Sequence, residues 1–271
     1  MNEQMNVPCF AGSIQENKLC RERILSALPR EERNLQVTVY GMTDSTNMRA
    51  KCHATGAFTG HALFVADGQQ QGRGRLGRTF YSPAGTGLYL SYLFSTKEPL
   101  ERLTALTPAA AVACARAIEH LCSRYVGIKW VNDLYLQDKK VCGILTEAVS
   151  AATPGEEHKI IIGVGINLTT EHFPKELEPS AGALGRSIDR SLLAGEIAHG
   201  LIGIKNDLYD RSFMEEYRAR SVVLGKRVCM IRGDVETEGI VEGFDCDGGL
   251  LLRTDEGLRL FTGGEISLRF S

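Results

Sequence analysis

Gly72-Arg73-Gly74-Arg75-Leu76-Gly77-Arg78 sets three guanidinium groups within six positions of a glycine-rich loop. Guanidinium pairs with carboxylate or phosphate oxygens, often through two hydrogen bonds, and glycine lets a backbone wrap closely round a ligand. The segment also fits the G-x-G-x-x-G pattern of dinucleotide folds, which needs a helix to start at the third glycine. Thr79-Phe80-Tyr81-Ser82-Pro83 follows instead, a poor helix former, so that reading fails. Two readings stay open: a loop that holds a small anion, or an arginine-rich surface patch of the kind that meets nucleic acid. Without an anion the three cations repel, which predicts a mobile loop that a ligand would order.

Three more segments carry possible chemistry. Lys129 ends an apolar strand just before a turn, where it can serve as a point charge for a phosphate or carboxylate, or simply meet solvent. Gly163-Val164-Gly165-Ile166-Asn167 has two glycines inside a strand, a sign of close approach by a ligand or another backbone. Its asparagine can match the donor and acceptor on one adenine edge, or can form a turn after a bulged strand. Gly263-Gly264-Glu265-Ile266-Ser267-Leu268-Arg269 lies near the end of the chain and reads equally as a last strand with a solvated charge pair. The six histidines form no H-x-x-x-H or H-E-x-x-H cluster, and no G-x-S-x-G or Walker A lysine is present.

Elements that hold these loops follow from patterning. The chain has 271 residues, 43% hydrophobic and 24% charged, with net charge −2, values of a folded domain and against a globally basic nucleic-acid binder. Residues 1–15 read as a tail and 16–29 as one short helix. Strands are predicted at 37–39, 62–66, 88–94, 126–130 and 159–168, with a hairpin across Gln137-Asp138-Lys139-Lys140. Thr107-Pro108 predicts an N-cap and first-turn proline for a helix to about Leu121, and 191–217 reads as one continuous helix. Pro174 to Gly185 reads as loop. The last fifty or so residues alternate short strands with Asp/Gly turns, the pattern of a small β barrel. None of the eight cysteines forms a C-x-x-C pair, the polar start is no secretory signal, and no apolar run spans a membrane. A reduced, cytoplasmic protein is expected.

Taken in order, Asp44-Ser45-Thr46-Asn47, Gln69 to Arg78, Lys129-Trp130-Val131-Asn132-Asp133-Leu134, Gly143-Ile144-Leu145-Thr146-Glu147, Gly163 to Asn167 and Gly263 to Ser267 resemble the biotin–protein ligases (biotin–[acetyl-CoA-carboxylase] ligases) over residues 36–271. The resemblance implies an α+β fold: a mixed β-sheet with flanking helices, related to class II tRNA synthetases, plus a C-terminal SH3-like barrel. It implies an N-terminal extension at 1–35, a catalytic domain at 36–222 and the barrel at 223–271. Biotin's carboxylate would attack the α-phosphate of ATP to give biotinyl-5′-AMP, and a lysine of a biotin carboxyl carrier domain would then take the biotin. Mg2+ would screen the phosphates; its ligands are left open.

By the same resemblance, Arg73, Arg75 and Lys129 would be catalytic, fixing positive charge where two anions meet. Ser45, Thr46, Asn47, Gln69, Gly72, Gly74, Leu134 and Gly143 would join those three around biotin. Arg78, Phe80, Asn132, Asn167, Glu265 and Arg269 would bind ATP. Phe80 stands where tryptophan is frequent in the family and Val131 where proline is usual. Too little chain precedes the first motif for a winged helix, so no nucleic-acid partner is expected, while a homodimer is allowed. A lipoate–protein ligase is the near alternative, and an arginine-loop nucleic-acid module the distant one.

Overall fold

The structure, a computed structural model, describes residues 18–54, 58–151, 153 and 155–268. The predicted tail at 1–15 and Arg269 lie outside them. The first described helix is α1 (Arg21–Ser26), shorter than the predicted 16–29, of which 16–17 lie outside the described residues. Pro29 explains the early stop, because a proline disfavours helical geometry in the residue before it.

Strand β1 (Gln36–Thr43) leads into α2 (Thr46–His53), then β2 (His61–Gln69), the arginine loop and β3 (Gly87–Thr96). Helix α3 (Leu106–Cys122) precedes β4 (Gly127–Lys129), β5 (Asp133–Leu136), β6 (Lys139–Val149) and β7 (His158–Asn167). These strands form one seven-stranded sheet in the order β1-β2-β3-β7-β6-β5-β4. The β1–β2 pair is parallel and every other pair antiparallel, a mixed sheet as expected.

Period-two alternation divides the side chains of this sheet between two faces. Leu63 and Val65 of β2, and Leu90, Tyr92 and Phe94 of β3, join the main core beneath α3 and a second long helix, α4 (Arg190–Asn206). Ala62, Phe64, Leu93 and Ile161 face the other way and pack against Ala50 and Ala54 of α2. Helix α2 covers only one end of that second face. The rest of it is open, and there the glycines of β6 and β7 lie.

Two helix expectations need correction. Thr107 is not the cap of α3: the helix starts two residues earlier, from Ala105, and the Thr107 hydroxyl donates to Thr146 Oγ1 at 2.9 Å. Pro108 still falls in the first turn, where its missing N–H removes no helical bond. The predicted helix at 191–217 is two helices, α4 and α5 (Met214–Ala219). Asp189 caps α4 by accepting from the Ser191 and Leu192 backbone N–H groups. Between the helices, Asp207 accepts from Tyr209 N and Asp210 from Ser212 N, short-range bonds that favour turns over helix.

The C-terminal strands β8 (Arg227–Arg232), β9 (Val235–Phe244), β10 (Leu250–Thr254), β11 (Gly257–Phe261) and β12 (Glu265–Leu268) make an antiparallel sheet in the order β11-β10-β9-β8-β12. It is seated on the first sheet through Trp130, whose indole N–H donates to the Gly248 carbonyl at 2.8 Å in a buried contact. Trp130→Phe removes that donor and leaves a buried carbonyl unpaired. A loss of about 1–2 kcal/mol in chemical denaturation is expected; unchanged stability would show that the contact holds nothing.

Candidate active site

A cavity of about 380 Å³ opens on the uncovered face of the first sheet. Its floor follows β7. Register pairs Gly163 with Leu145 and Gly165 with Gly143, so these residues share the face that carries Ile161 and Glu147. From Gly163 to Asn167 the strand advances about 13 Å at ~3.3 Å per residue. A Cβ at Gly163 would overlap the Asn47 amide, and one at Gly165 would lie 2.6 Å from the Phe80 ring. The close approach expected at these glycines is therefore made by side chains of the chain itself.

At one end the wall is polar. Ser45, Thr46 and Asn47, at the start of α2, are all buried. Gln69 Oε1 accepts from the Thr46 backbone N–H at 2.8 Å, and Gln69 Nε2 donates to Ser82 Oγ at 3.0 Å. Ser91 Oγ, fully buried on β3, lies 2.8 Å from Thr46 Oγ1 and 2.5 Å from Asn47 Oδ1. Asn47 Nδ2 donates to Glu147 at 2.8 Å. At the other end Asn167 donates its Nδ2 to the Gly182 carbonyl at 3.0 Å, while its Oδ1 is buried with no hydrogen-bond partner among the described residues.

Between these ends sit cations. Lys129 is half-buried, with its ammonium 5.4 Å from the Tyr135 ring centroid and no ion pair among the described residues. Burial holds its pKa below the ordinary lysine value, opposed by Asp133 and reinforced by Lys140. Lys140 is 2.7 Å from Asp133 Oδ1 and also faces the Phe80 ring.

The arginine loop forms one side. Gly74 N donates to the Arg78 carbonyl at 2.7 Å and Phe80 N to the Gly72 carbonyl at 2.9 Å, a small hairpin. Its cations are not left to repel one another. Arg75 donates to Asn132 Oδ1 and to the Gly264 carbonyl, both at 2.9 Å, and Arg78 pairs with Glu265 at 2.5 Å. The second sheet thus supplies the acceptors that separate two of the three charges. Arg73 stays exposed at the rim, near enough to Glu147 to help lower that carboxyl's pKa.

The cavity wall includes Ser45, Thr46, Asn47, Gln69, Arg73, Gly74, Arg75, Arg78, Phe80, Lys129, Asn132, Gly143, Asn167 and Glu265, residues singled out from the sequence. Two others fall elsewhere. Leu134 is fully buried in the core, because Asp133 and Tyr135 flank it on β5 and take the cavity side. Gly72 is a buried pivot whose Cβ would strike the Phe80 carbonyl and lie 2.5 Å from Ser82 Oγ. Lys140, Asp133, Tyr135 and Phe173 also line the cavity and had no assigned role. Alternation from Lys129 across the β4–β5–β6 hairpins could have suggested Asp133 and Tyr135. Phe173 arrives on an irregular loop and gives no such signal.

Comparison with known proteins places this geometry. Residues 41–167 match the biotin/lipoate A/B protein ligase family, and residues 223–269 match the biotin protein ligase C terminal domain. The bifunctional ligase/repressor BirA of Escherichia coli K12 is 33% identical over 241 residues, covering 86% of this chain and 74% of that protein. A biotin–[acetyl-CoA-carboxylase] ligase of Paracoccus denitrificans is 31% identical, covering 83% and 97%. Among solved structures, the biotin protein ligase of Aquifex aeolicus in complex with biotin and ATP superposes with a TM-score of 0.69 at 31% identity, covering 87% of this chain and 99% of that one. The mixed sheet, the antiparallel C-terminal unit and the cavity between them are those of a biotin ligase. The chain belongs to the biotin protein ligase family.

Proposed function

We propose that this protein joins biotin to ATP as biotinyl-5′-AMP, releasing pyrophosphate, and passes the biotinyl group to a lysine of a biotin carboxyl carrier domain. The observation that carries the reading is the position of Lys129. Among the described residues it is a half-buried ammonium with no ion pair, set between a polar pocket and an asparagine with a vacant acceptor. Biotin's ring would lie among Ser45, Thr46, Asn47 and Gln69, with its chain running toward Gly143. Adenine's amino group would donate to Asn167 Oδ1, and Phe80 would cover the join. Biotin's carboxylate and the α-phosphate would then meet at Lys129, with Arg73 and Arg75 on the loop side and Lys140 as an added cation. No protein nucleophile is needed: fixed charge and positioning lower the barrier between two anions. We assign this chemistry to residues 36–222, completed by Glu265 of the C-terminal unit at 223–271.

Among the described residues no three metal-ligating side chains cluster. Mg2+ on a triphosphate needs only one or two carboxylates, and Asp133 and Glu265 are those on the wall. Bound there, it would neutralise phosphate charge. No described helix is long and apolar enough to cross a membrane. Cys20, Cys114, Cys122, Cys142 and Cys246 are free thiols, which supports a reducing cytoplasmic setting. The unpaired outer edge of β1 leaves room for a second copy, and we assign no nucleic-acid partner. A lipoate ring, being apolar, would leave the polar pocket without use, which favours biotin.

The deciding experiment incubates the protein with a carrier domain, ATP, Mg2+ and either biotin or lipoate, and reads the carrier's mass. A biotinyl mass gain that requires ATP is expected. Transfer of lipoate alone, or of neither acid, overturns the reading.

A further inference from the structure

We infer that Glu147 is a positioning residue that fixes the direction of the Asn47 side-chain amide and, through it, the pattern of donors and acceptors presented to the biotin ring. The inference rests on the proposed placement of that ring beside Asn47.

Glu147 is not on the cavity wall. It lies on β6 opposite Ile161, below α2, where its Oε2 accepts from Asn47 Nδ2 at 2.8 Å and its Oε1 from Lys51 Nζ at 2.6 Å. Asn47 and Lys51 are four residues apart on α2 and so share a side of the helix. Burial works to raise the Glu147 pKa. The hydrogen bonds from Lys51 and Asn47 and the charges of Lys51 and Arg73 outweigh that and hold it below the usual carboxylate value. It is therefore ionised at neutral pH and can only accept.

That single fact orders the neighbouring protons. An amide that faces a carboxylate must turn its NH2 toward it, so Asn47 Oδ1 points the other way. Ser91 has one proton and lies 2.5 Å from that oxygen, so Ser91 donates to Asn47. Thr46 Oγ1, 2.8 Å from Ser91 Oγ, must then give its own proton to Ser91 or to Gln69 Oε1. Gln69 is fixed from the opposite side, since its oxygen takes the Thr46 backbone N–H and its NH2 faces Ser82. At Asn47 the network is consistent in one direction only, and in that direction Asn47 offers the pocket an acceptor. A ring N–H of a cyclic urea is the matching donor. With a neutral, apolar side chain in place of Glu147, the amide is free to turn, and the pocket would offer an N–H to an N–H.

The test is calorimetric binding of biotin and of two analogues in which one or the other ring N–H is replaced by oxygen, a swap of similar size that removes the proton. The parent should bind biotin about tenfold or more tightly than the analogue lacking the N–H that faces Asn47. Glu147→Leu should lose about tenfold for biotin and almost nothing for that analogue. Glu147→Gln, whose amide oxygen can still accept from Asn47, should recover most of the biotin affinity, and ATP affinity should be the same in all three proteins. If Glu147→Leu does not fold, Glu147→Asp keeps the charge, withdraws it by one methylene and should show the same selective loss. Equal loss for biotin and analogues, or no loss, overturns the inference while leaving biotin as the ligand. A parent protein that binds none of these ligands overturns the biotin reading and this inference together.

Discussion

Lys129→Ala slows formation of the acyl-adenylate about a thousandfold while changing biotin affinity by only a few fold. The asymmetry follows from where the ammonium stands. Among the described residues it forms no ion pair, so its charge is available to whatever occupies the centre of the cavity. In the proposed pose biotin's ring is held at the polar end by neutral hydrogen bonds that do not involve the lysine. Negative charge builds up as carboxylate and phosphate approach, and an interaction that strengthens there acts on the rate, at about 4 kcal/mol for a preorganised charge. Pre-steady-state release of pyrophosphate and direct biotin titration separate the two effects; equal loss in both would remove Lys129 from the reacting centre. The pH profile gives a second check. Burial lowers the lysine's pKa from the ordinary 10.5, so the charge is present at neutral pH and lost on the alkaline side earlier than for an exposed lysine. Bound anions favour the ammonium and move its pKa up again. The alkaline fall in kcat/KM, which reports the free enzyme, should therefore come at lower pH than the fall in kcat.

Arg73→Gly is expected to leave adenylate formation within about tenfold of the parent and to speed escape of the adenylate about a hundredfold. Arg75 and Arg78 are already bonded across to Asn132, Gly264 and Glu265, so they hold the loop to the wall. Arg73 and Arg78 are both exposed, but Arg78 is tied to Glu265; in the proposed pose it is the Arg73 guanidinium, at the rim, that closes on a phosphoryl oxygen. Charge-assisted bonds of this kind contribute about 1.5–3 kcal/mol, and a glycine in its place also frees the hairpin backbone. A reactive mixed anhydride that leaves the cavity acylates any amine it meets. Bystander lysines on an added unrelated protein should become biotinylated, as read by mass spectrometry. Retention of the adenylate at the parental level would place Arg73 outside the ligand's grip.

Much of this arrangement was legible in residue order alone. The arginine loop, Lys129 and the G-x-G-I-N strand announce themselves because glycine and charge are rare inside regular elements. The short C-terminal strands were visible because Asp/Gly turns punctuate them. What escaped detection depends on neighbours distant in sequence. Nothing local says that Asp207 and Asp210 divide one amphipathic run into two helices, since each carboxylate acts only once its turn has formed. Leu134 sits among site residues in the chain, yet strand alternation sends it into the core. The repulsion expected within the arginine loop disappears because Gly264 and Glu265, at the entry to β12 and almost two hundred residues later, bring a carbonyl and a carboxylate to meet it.

The bare floor along β7 limits how such a protein can diverge. At positions 163 and 165 the space above the backbone is already taken by Asn47 and Phe80, so even alanine there must push one of them into the groove. New preferences for the acid or the nucleotide have to arise in the surrounding loops and the start of α2, while the strand underneath stays as it is.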